Sequence, residues 1–228
     1  NKVVLSVSSS SNPGDFYYFD KENMILTFLW DNSPWIDRNK LAKKVPIKYT
    51  ARDGLVIHGY LTIPLGTSGK NLPMVVHPHG GPNARDYIGY DTYVQFLANR
   101  GYAVFQPNFR GSTGYGAYHY ISANKQFGKT MQDDITDGVN YLVDQGIADP
   151  DRIAIFGGSY GGYATMAGLT FTPDLYAAGI NFVGVVDLEL LQEDSNRNSR
   201  RFGGFYDELR MEWGCLLYTS PSPRDSSP

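Results

Sequence analysis

Cysteine is nearly absent from this sequence. Cys215 is the only one in 228 residues, so no disulfide can form within the chain and cysteine usage does not reveal a redox compartment. Charge of one sign is also missing. Lys and Arg number 20 against 23 Asp and Glu, with a net charge of -3, and the two signs are interspersed. That balance excludes the basic stripe of a nucleic-acid binder, so no nucleic-acid partner is expected. No apolar run approaches the roughly 18 residues of a membrane-spanning helix, so no membrane span is expected. Phosphate-loop spacing fails as well: Gly66-Thr67-Ser68-Gly69-Lys70-Asn71 has the residue types without the intervals. What the chain does hold is apolar and aromatic material, 42% and 14% of its residues, enough for a substantial core.

Three textures follow one another. Residues 1–45 carry short β-like pieces, Val3 to Val7, Asp15 to Phe19 and Met24 to Leu29, too few to form a stable sheet alone. From residue 46 to 187, strand and helix signals alternate. The strands are Val45 to Thr50, Val56 to Pro64, Met74 to Val76, Tyr102 to Gln106, Ile153 to Phe156 and Ile180 to Val186. The helices are Tyr93 to Asn99, Met131 to Gln145 and Tyr160 to Thr170. In the second, Met131, Ile135, Val139, Leu142 and Val143 share one face. Such alternation implies an α/β fold, a mostly parallel sheet with helices on both faces. Residues 188–214 contain no Val, Ile or Thr, so no buried strand is expected there, and Phe205 to Trp213 reads as a helix. Residues 215–228 are Ser/Pro-rich, with the composition of disorder. They also look like translated adapter read-through, so the native frame is expected to stop near Gly214.

The chemistry is concentrated in Gly157-Gly158-Ser159-Tyr160-Gly161-Gly162, a G-x-S-x-G motif directly after a strand and directly before a helix. In that context Ser159 is the expected nucleophile. Its turn is so tight that Gly157 and Gly161 are needed where side chains would strike backbone, and Gly158 and Gly162 are expected to relax the turn further. The following helix aims its N-terminal dipole and N–H groups at the site. Acyl transfer also needs two donors for the developing oxyanion. The backbone N–H of Tyr160 is one. Gly81, in His79-Gly80-Gly81-Pro82 after the Met74 to Val76 strand, is the choice for the other.

Together with Pro107-Asn108-Phe109-Arg110-Gly111-Ser112-Thr113-Gly114-Tyr115-Gly116, these motifs resemble the prolyl oligopeptidase family of serine peptidases. The acylaminoacyl-peptidase-like and dipeptidyl-peptidase-like branches are the most similar. The resemblance implies an α/β-hydrolase domain behind a β-propeller that admits short peptides. Residues 1–45 would be the end of the propeller and its linker, and 46–214 the catalytic domain. It further implies a peptide substrate, no cofactor and no metal, and a pocket for the residue before the scissile bond that includes Val185, Leu188 and Leu191. Those residues stand where proline-cleaving members carry aromatics, which speaks against strict proline specificity.

A serine nucleophile needs a His base and an orienting carboxylate, arriving in the order Ser, acid, His in this fold. All four histidines, His58, His77, His79 and His119, precede Ser159. The acid and base are therefore expected outside this chain, which reads as an inactive fragment. Asp187 as acid and His79 as base remain alternatives. Asp133, Asp134 and Asp137 are expected to be surface charges matched to a helix start rather than metal ligands. Cys215 has no activating neighbours in sequence. An esterase on the same fold, or a non-catalytic hydrolase-like binding module, stays open beside the peptidase.

Overall fold

A computed structural model describes residues 1–191. The readings placed on residues 192–228, including the Phe205 to Trp213 helix, Cys215 and the terminal tail, lie outside the described residues.

Strands β1 (Lys2–Ser9), β2 (Asn12–Asp20) and β3 (Ile25–Asp31) form an antiparallel three-stranded sheet in chain order. Phe16 stacks on Trp30 across it, and Arg38 from the linker pairs with Asp15 and Asp31. The turn between β1 and β2 meets the second sheet at Lys44, and the helix carrying Gln95, through Ser10. Its Oγ accepts from the Lys44 N–H, and its carbonyl accepts from Gln95 Nε2 at 2.8 Å. The sheet fits the remnant of a β-propeller.

The second sheet holds β4 (Lys44–Thr50), β5 (Val56–Thr62), β6 (Leu72–Val76), β7 (Ala103–Asn108), β8 (Ala148–Gly158) and β9 (Ala178–Phe182). Their spatial order is β4-β5-β7-β6-β8-β9. The β4/β5 and β5/β7 pairs are antiparallel and the remaining three are parallel. Helices α1 (Thr92–Ala98), α2 (Ala117–Ile121), α3 (Thr130–Asp144) and α4 (Tyr160–Phe171) fill the connections.

Residues paired across neighbouring strands share a face, so the register sorts the sheet's two surfaces. One surface carries Tyr49, Ile57, Leu61, Phe105, Met74, Val76, Ile153 and Ile155, all buried. Helices α3 and α4 cover it. Met131, Ile135, Val139 and Leu142 of α3 are fully buried against it, and Gly138 lets the helix settle within contact of Phe105 and Tyr49. Burying these side chains contributes on the order of 2 kcal/mol each. The opposite surface is polar over β4, β5 and β7, where Lys44, Thr62, Gln106 and Asn108 are all buried. There the loop after β6 and helix α1 cover the sheet.

Strand β9 starts earlier and ends earlier than expected. Val183 has a positive φ of 47° and turns the chain, and the Gly184 N–H donates to Asn181 Oδ1 at 2.8 Å. Val183 therefore bends the chain, and residues 183–186 lie outside the strand despite the β-branched side chains of Val183, Val185 and Val186. Helix α2 has no counterpart in the sequence reading, because five residues give no hydrophobic period to detect.

Candidate active site

The turn from β8 to α4 carries Ser159 at φ 56° and ψ −119°, the first helical residue being Tyr160. Left-handed φ is disfavoured for any side chain, so this is a strained backbone held by its surroundings. The Ser159 N–H donates to Phe182 O, and Ser159 O accepts from the Tyr163 N–H, both at 3.0 Å. Its side chain is exposed and makes no capping bond to α4. The hydroxyl thus stands at the positive end of a twelve-residue helix, beyond the C-terminal end of β8.

The glycines around it act by vacating space. A Cβ on Gly157 would strike the Gly161 carbonyl, and one on Gly161 would strike Pro78 O, both closer than real Cβ atoms come. Gly162 faces the Gly184 Cα, 2.6 Å from where its own Cβ would lie. Gly158 differs. Its Cβ would sit 3.4 Å from Phe182 in ordinary contact. None of the four has a positive φ, so the expectation that Gly158 and Gly162 relax the turn is corrected: the strain rests on Ser159, Gly162 makes room for the segment after β9, and Gly158 is not sterically required.

The loop after β6 lies against this turn. A Cβ on Gly80 would be 3.5 Å from Ser159 Cβ and 3.2 Å from Gly158 O. Gly81 has φ 126°, open only to glycine, and its Cβ would meet Asn83 N at 2.7 Å. The sequence-predicted Gly80-Gly81 loop and the serine turn are thus brought together. Beneath them the Tyr160 side chain is buried among Phe109, Phe127 and Tyr163, 4.8 to 5.5 Å between ring centres.

The histidines are engaged elsewhere. His79 stacks on Phe109 at 4.4 Å, with Nδ1 against Gly80 O at 2.7 Å and Nε2 against Ser112 Oγ at 2.8 Å. Burial pushes its pKa down to about 4, so the ring is neutral near neutrality. The Ser112 hydroxyl donates to Phe109 O at 2.6 Å, so its one proton is engaged there and its oxygen lies against His79 Nε2. His77 Nδ1 lies 2.7 Å from Phe156 O, His119 is buried with Nε2 against Phe109 O, and His58 stacks on Tyr115. Among the described residues no hydrogen bond joins a histidine to Ser159. Asp187 Oδ1 accepts from the Leu190 N–H and its carbonyl from the Leu191 N–H, so it caps a turn. Of the three pocket candidates, Leu188 is 1% exposed within the core, while Val185 and Leu191 are partly buried against that core.

The three aspartates of α3 are not surface charges as a group, a correction to the sequence reading. Asp134 is fully buried, accepting from the Arg110 N–H, Nε and Nη2 at 2.7 to 2.9 Å. Arg110 also pairs with Asp53 at 2.8 Å, while Asp133 and Asp137 hold Arg52. The strand order, the serine on a strained strand-to-helix turn and the glycine loop beside it define an α/β-hydrolase.

Comparison with known proteins refines this. The family model described as "Prolyl oligopeptidase family" matches residues 88–217, more than half of the chain. The chain is 41% identical over 195 residues to dipeptidyl aminopeptidase BIII of Pseudoxanthomonas mexicana, covering 82% of this chain and 28% of that protein. It is 35% identical to dipeptidyl peptidase family member 6 of Caenorhabditis elegans, covering 81% and 28%. Among solved structures, a puromycin-hydrolyzing peptidase of Mycobacterium tuberculosis superposes with TM-score 0.81 at 28% identity, covering 97% of this chain and 35% of that one. The acylaminoacyl peptidase of Pyrococcus horikoshii gives 0.79 at 25% identity, covering 97% and 36%. The chain belongs to the prolyl oligopeptidase family. It spans about 28% of the length of these two curated relatives.

Proposed function

We propose that this chain carries the nucleophile-bearing part of a serine peptidase that hydrolyses short peptides through an acyl-enzyme. The observation that carries the reading is the exposed Ser159 on its strained turn, with the Gly80-Gly81 loop packed beside it. In this reading Ser159 Oγ attacks the peptide carbonyl, and the N–H groups of Tyr160 and Gly81 stabilise the oxyanion, each donor supplying about 3 kcal/mol. Residues 1–45 are the end of a propeller and its linker, and 46–214 belong to the catalytic domain. Val185 and Leu191, with Leu188 behind them, form an aliphatic wall for the residue before the scissile bond. No histidine bonds Ser159 among the described residues, so a proton acceptor has to be supplied for the serine to react at a useful rate.

The test is labelling by a fluorophosphonate probe with and without added imidazole. The expected result is slow labelling, accelerated by imidazole and abolished in Ser159→Ala. Labelling that survives in Ser159→Ala, or none in a folded sample at any imidazole concentration, overturns the reading. Imidazole-assisted turnover of peptidyl-aminocoumarins ahead of p-nitrophenyl esters is expected of a peptidase, and the reverse order of an esterase.

A further inference from the structure

The loop between β6 and α1 carries a buried carboxyl that the proposed reaction does not use. Asp86 lies five residues beyond Gly81, over the polar surface of β7. Two side chains on that surface hold it. Asn108 Oδ1 accepts the Asp86 N–H at 2.8 Å, and Asn108 Nδ2 donates to the Asp86 carbonyl at 3.3 Å. Gln106 Nε2 donates to Asp86 Oδ1 at 2.9 Å. Gln106 is 1% exposed.

The remaining atoms of this contact are informative. Asp86 Oδ2 and Gln106 Oε1 are both buried, and neither has a donor. Two acceptors left over, one from each partner of a single carboxyl–amide contact, are what an acid–amide ring shows when its proton is not drawn. A carboxylic acid and a primary amide close such a ring with one N–H···O and one O–H···O bond, and only the acid form supplies the second donor. An ionised Asp86 would leave both oxygens unsatisfied in a buried site, a costly arrangement. We infer that Asp86 keeps its proton in the folded protein and forms with Gln106 a cyclic acid–amide pair that fastens the Gly80-Gly81 loop to β7. Asp86 is then a positioning residue for that loop, and this role rests on the peptidase reading above.

The surroundings agree. Burial pushes the Asp86 pKa up to about 7. Facing it are Lys44 from β4, Asp91 before α1, Arg85 from its own loop and Tyr115 from the loop after β7. Lys44 donates to Tyr87 O at 3.2 Å, and Arg85 donates to Tyr115 Oη at 2.9 Å and to the Asp86 carbonyl. Neither cation makes an ion pair with Asp86 among the described residues.

The sign of the linkage follows. An acid whose folded pKa lies above its unfolded 3.8 adds stability that is complete below 3.8 and lost as pH rises toward about 7. His79, lowered to about 4, runs in the opposite sense, so the readout is the difference between variant and wild type. Asp86→Asn keeps the ring, because its amide donates to Gln106 Oε1 without a titrating proton. Its folding constant should match wild type in acid and exceed it by at least about tenfold above neutrality. Infrared difference spectra of the full chain, wild type against Asp86→Asn, should show the C=O band of a protonated carboxyl about two pH units below neutrality, where an ordinary Asp is ionised. In Gln106→Met that band should shift to the position of an acid with no amide partner. A carboxylate band in that range, or an acid band unmoved in Gln106→Met, overturns the pairing. These spectra do not require Ser159 to react, so failure of probe labelling would overturn the peptidase reading and leave the pair standing. Where labelling occurs, the imidazole titrates alike in both proteins, so the ratio of the wild-type rate to the Asp86→Asn rate should change as Asp86 titrates. Parallel pH courses would overturn the positioning role.

Discussion

Ser159 occupies backbone angles that favour glycine, and its neighbours leave no other path for the chain. A residue held at positive φ stores about 1 to 3 kcal/mol. Ser159→Gly should therefore be more stable than Ser159→Ala by about 1 kcal/mol, after allowing for the greater freedom of unfolded glycine. The glycines should divide by the same geometry. Gly161→Ala drives a methyl into the Pro78 carbonyl, and Gly157→Ala drives one into Gly161. Each should cost about 1 to 3 kcal/mol or more, as overpacking against backbone does. Gly158→Ala meets only Phe182 at ordinary contact and should change stability by about 0.5 kcal/mol or less. Chemical denaturation of the five variants checks the order. Equal losses at Gly158 and Gly161 would remove the steric account. This pattern also explains why the serine turn was legible in sequence: the requirement is local, and it is written as glycines two residues either side of the serine. The contribution of Gly184 was not, because the contact that needs it joins residues 22 apart.

At the scale of elements, the Arg52-Asp53-Gly54 turn joins β4 to β5 and is fastened to α3 by charge. Arg110 bridges Asp53 and the buried Asp134, Arg52 bridges Asp133 and Asp137, and Tyr49 Oη donates to the Asp134 carbonyl at 2.7 Å. Arg110 is 6% exposed at its side chain and Asp134 is 0% exposed, so solvent screens this pair little. Removing Asp134 leaves the buried Arg110 guanidinium with only the more exposed Asp53 as counter-charge. Asp134→Ala should cost about 3 to 5 kcal/mol, whereas Asp134→Leu combined with Arg110→Met should recover much of that loss. Equilibrium unfolding of the single and double variants measures it; a double variant no better than the single would mean the charge itself is not the source. The sequence showed α3 clearly, through the period of Met131, Ile135, Val139 and Leu142. It did not show Asp134 as buried, because a carboxylate in a first helical turn reads as dipole-matched and its partner lies 24 residues away. The strands of the second sheet were legible for the same reason as α3, since apolar runs end at Gly, Pro or Asn. Strand β9 was misplaced because Val183, Val185 and Val186 are strand residues that lie outside the strand, from the bend at Val183 onward.

For the molecule as a whole, the join between the two sheets runs through the Gln95 side chain, beside the contact of Ser10 Oγ with the Lys44 N–H. Gln95 of α1 is 4% exposed. Its Nε2 donates to Ser10 O and to Ala42 O, both at 2.8 Å, and its Oε1 accepts the Ala42 N–H at 3.0 Å. Ser10 lies in the turn between β1 and β2, and Ala42 in the linker just before β4. A single amide therefore satisfies three buried backbone groups, one from the first sheet and two from the linker. Gln95→Leu preserves most of the volume but leaves those three groups unpaired, at about 1 to 3 kcal/mol for each that water cannot reach. The second sheet keeps its α3 and α4 core and should lose little. The first sheet has only three strands, with Leu26, Phe28 and Trp30 half exposed, so its order depends on the join. Amide exchange in Gln95→Leu should accelerate across β1 to β3 while β5 to β8 keep their protection. Uniform acceleration would instead mean that the two sheets unfold as one cooperative unit. No change would mean that Arg38 with Asp15 and Asp31, rather than Gln95, fixes the first sheet in place.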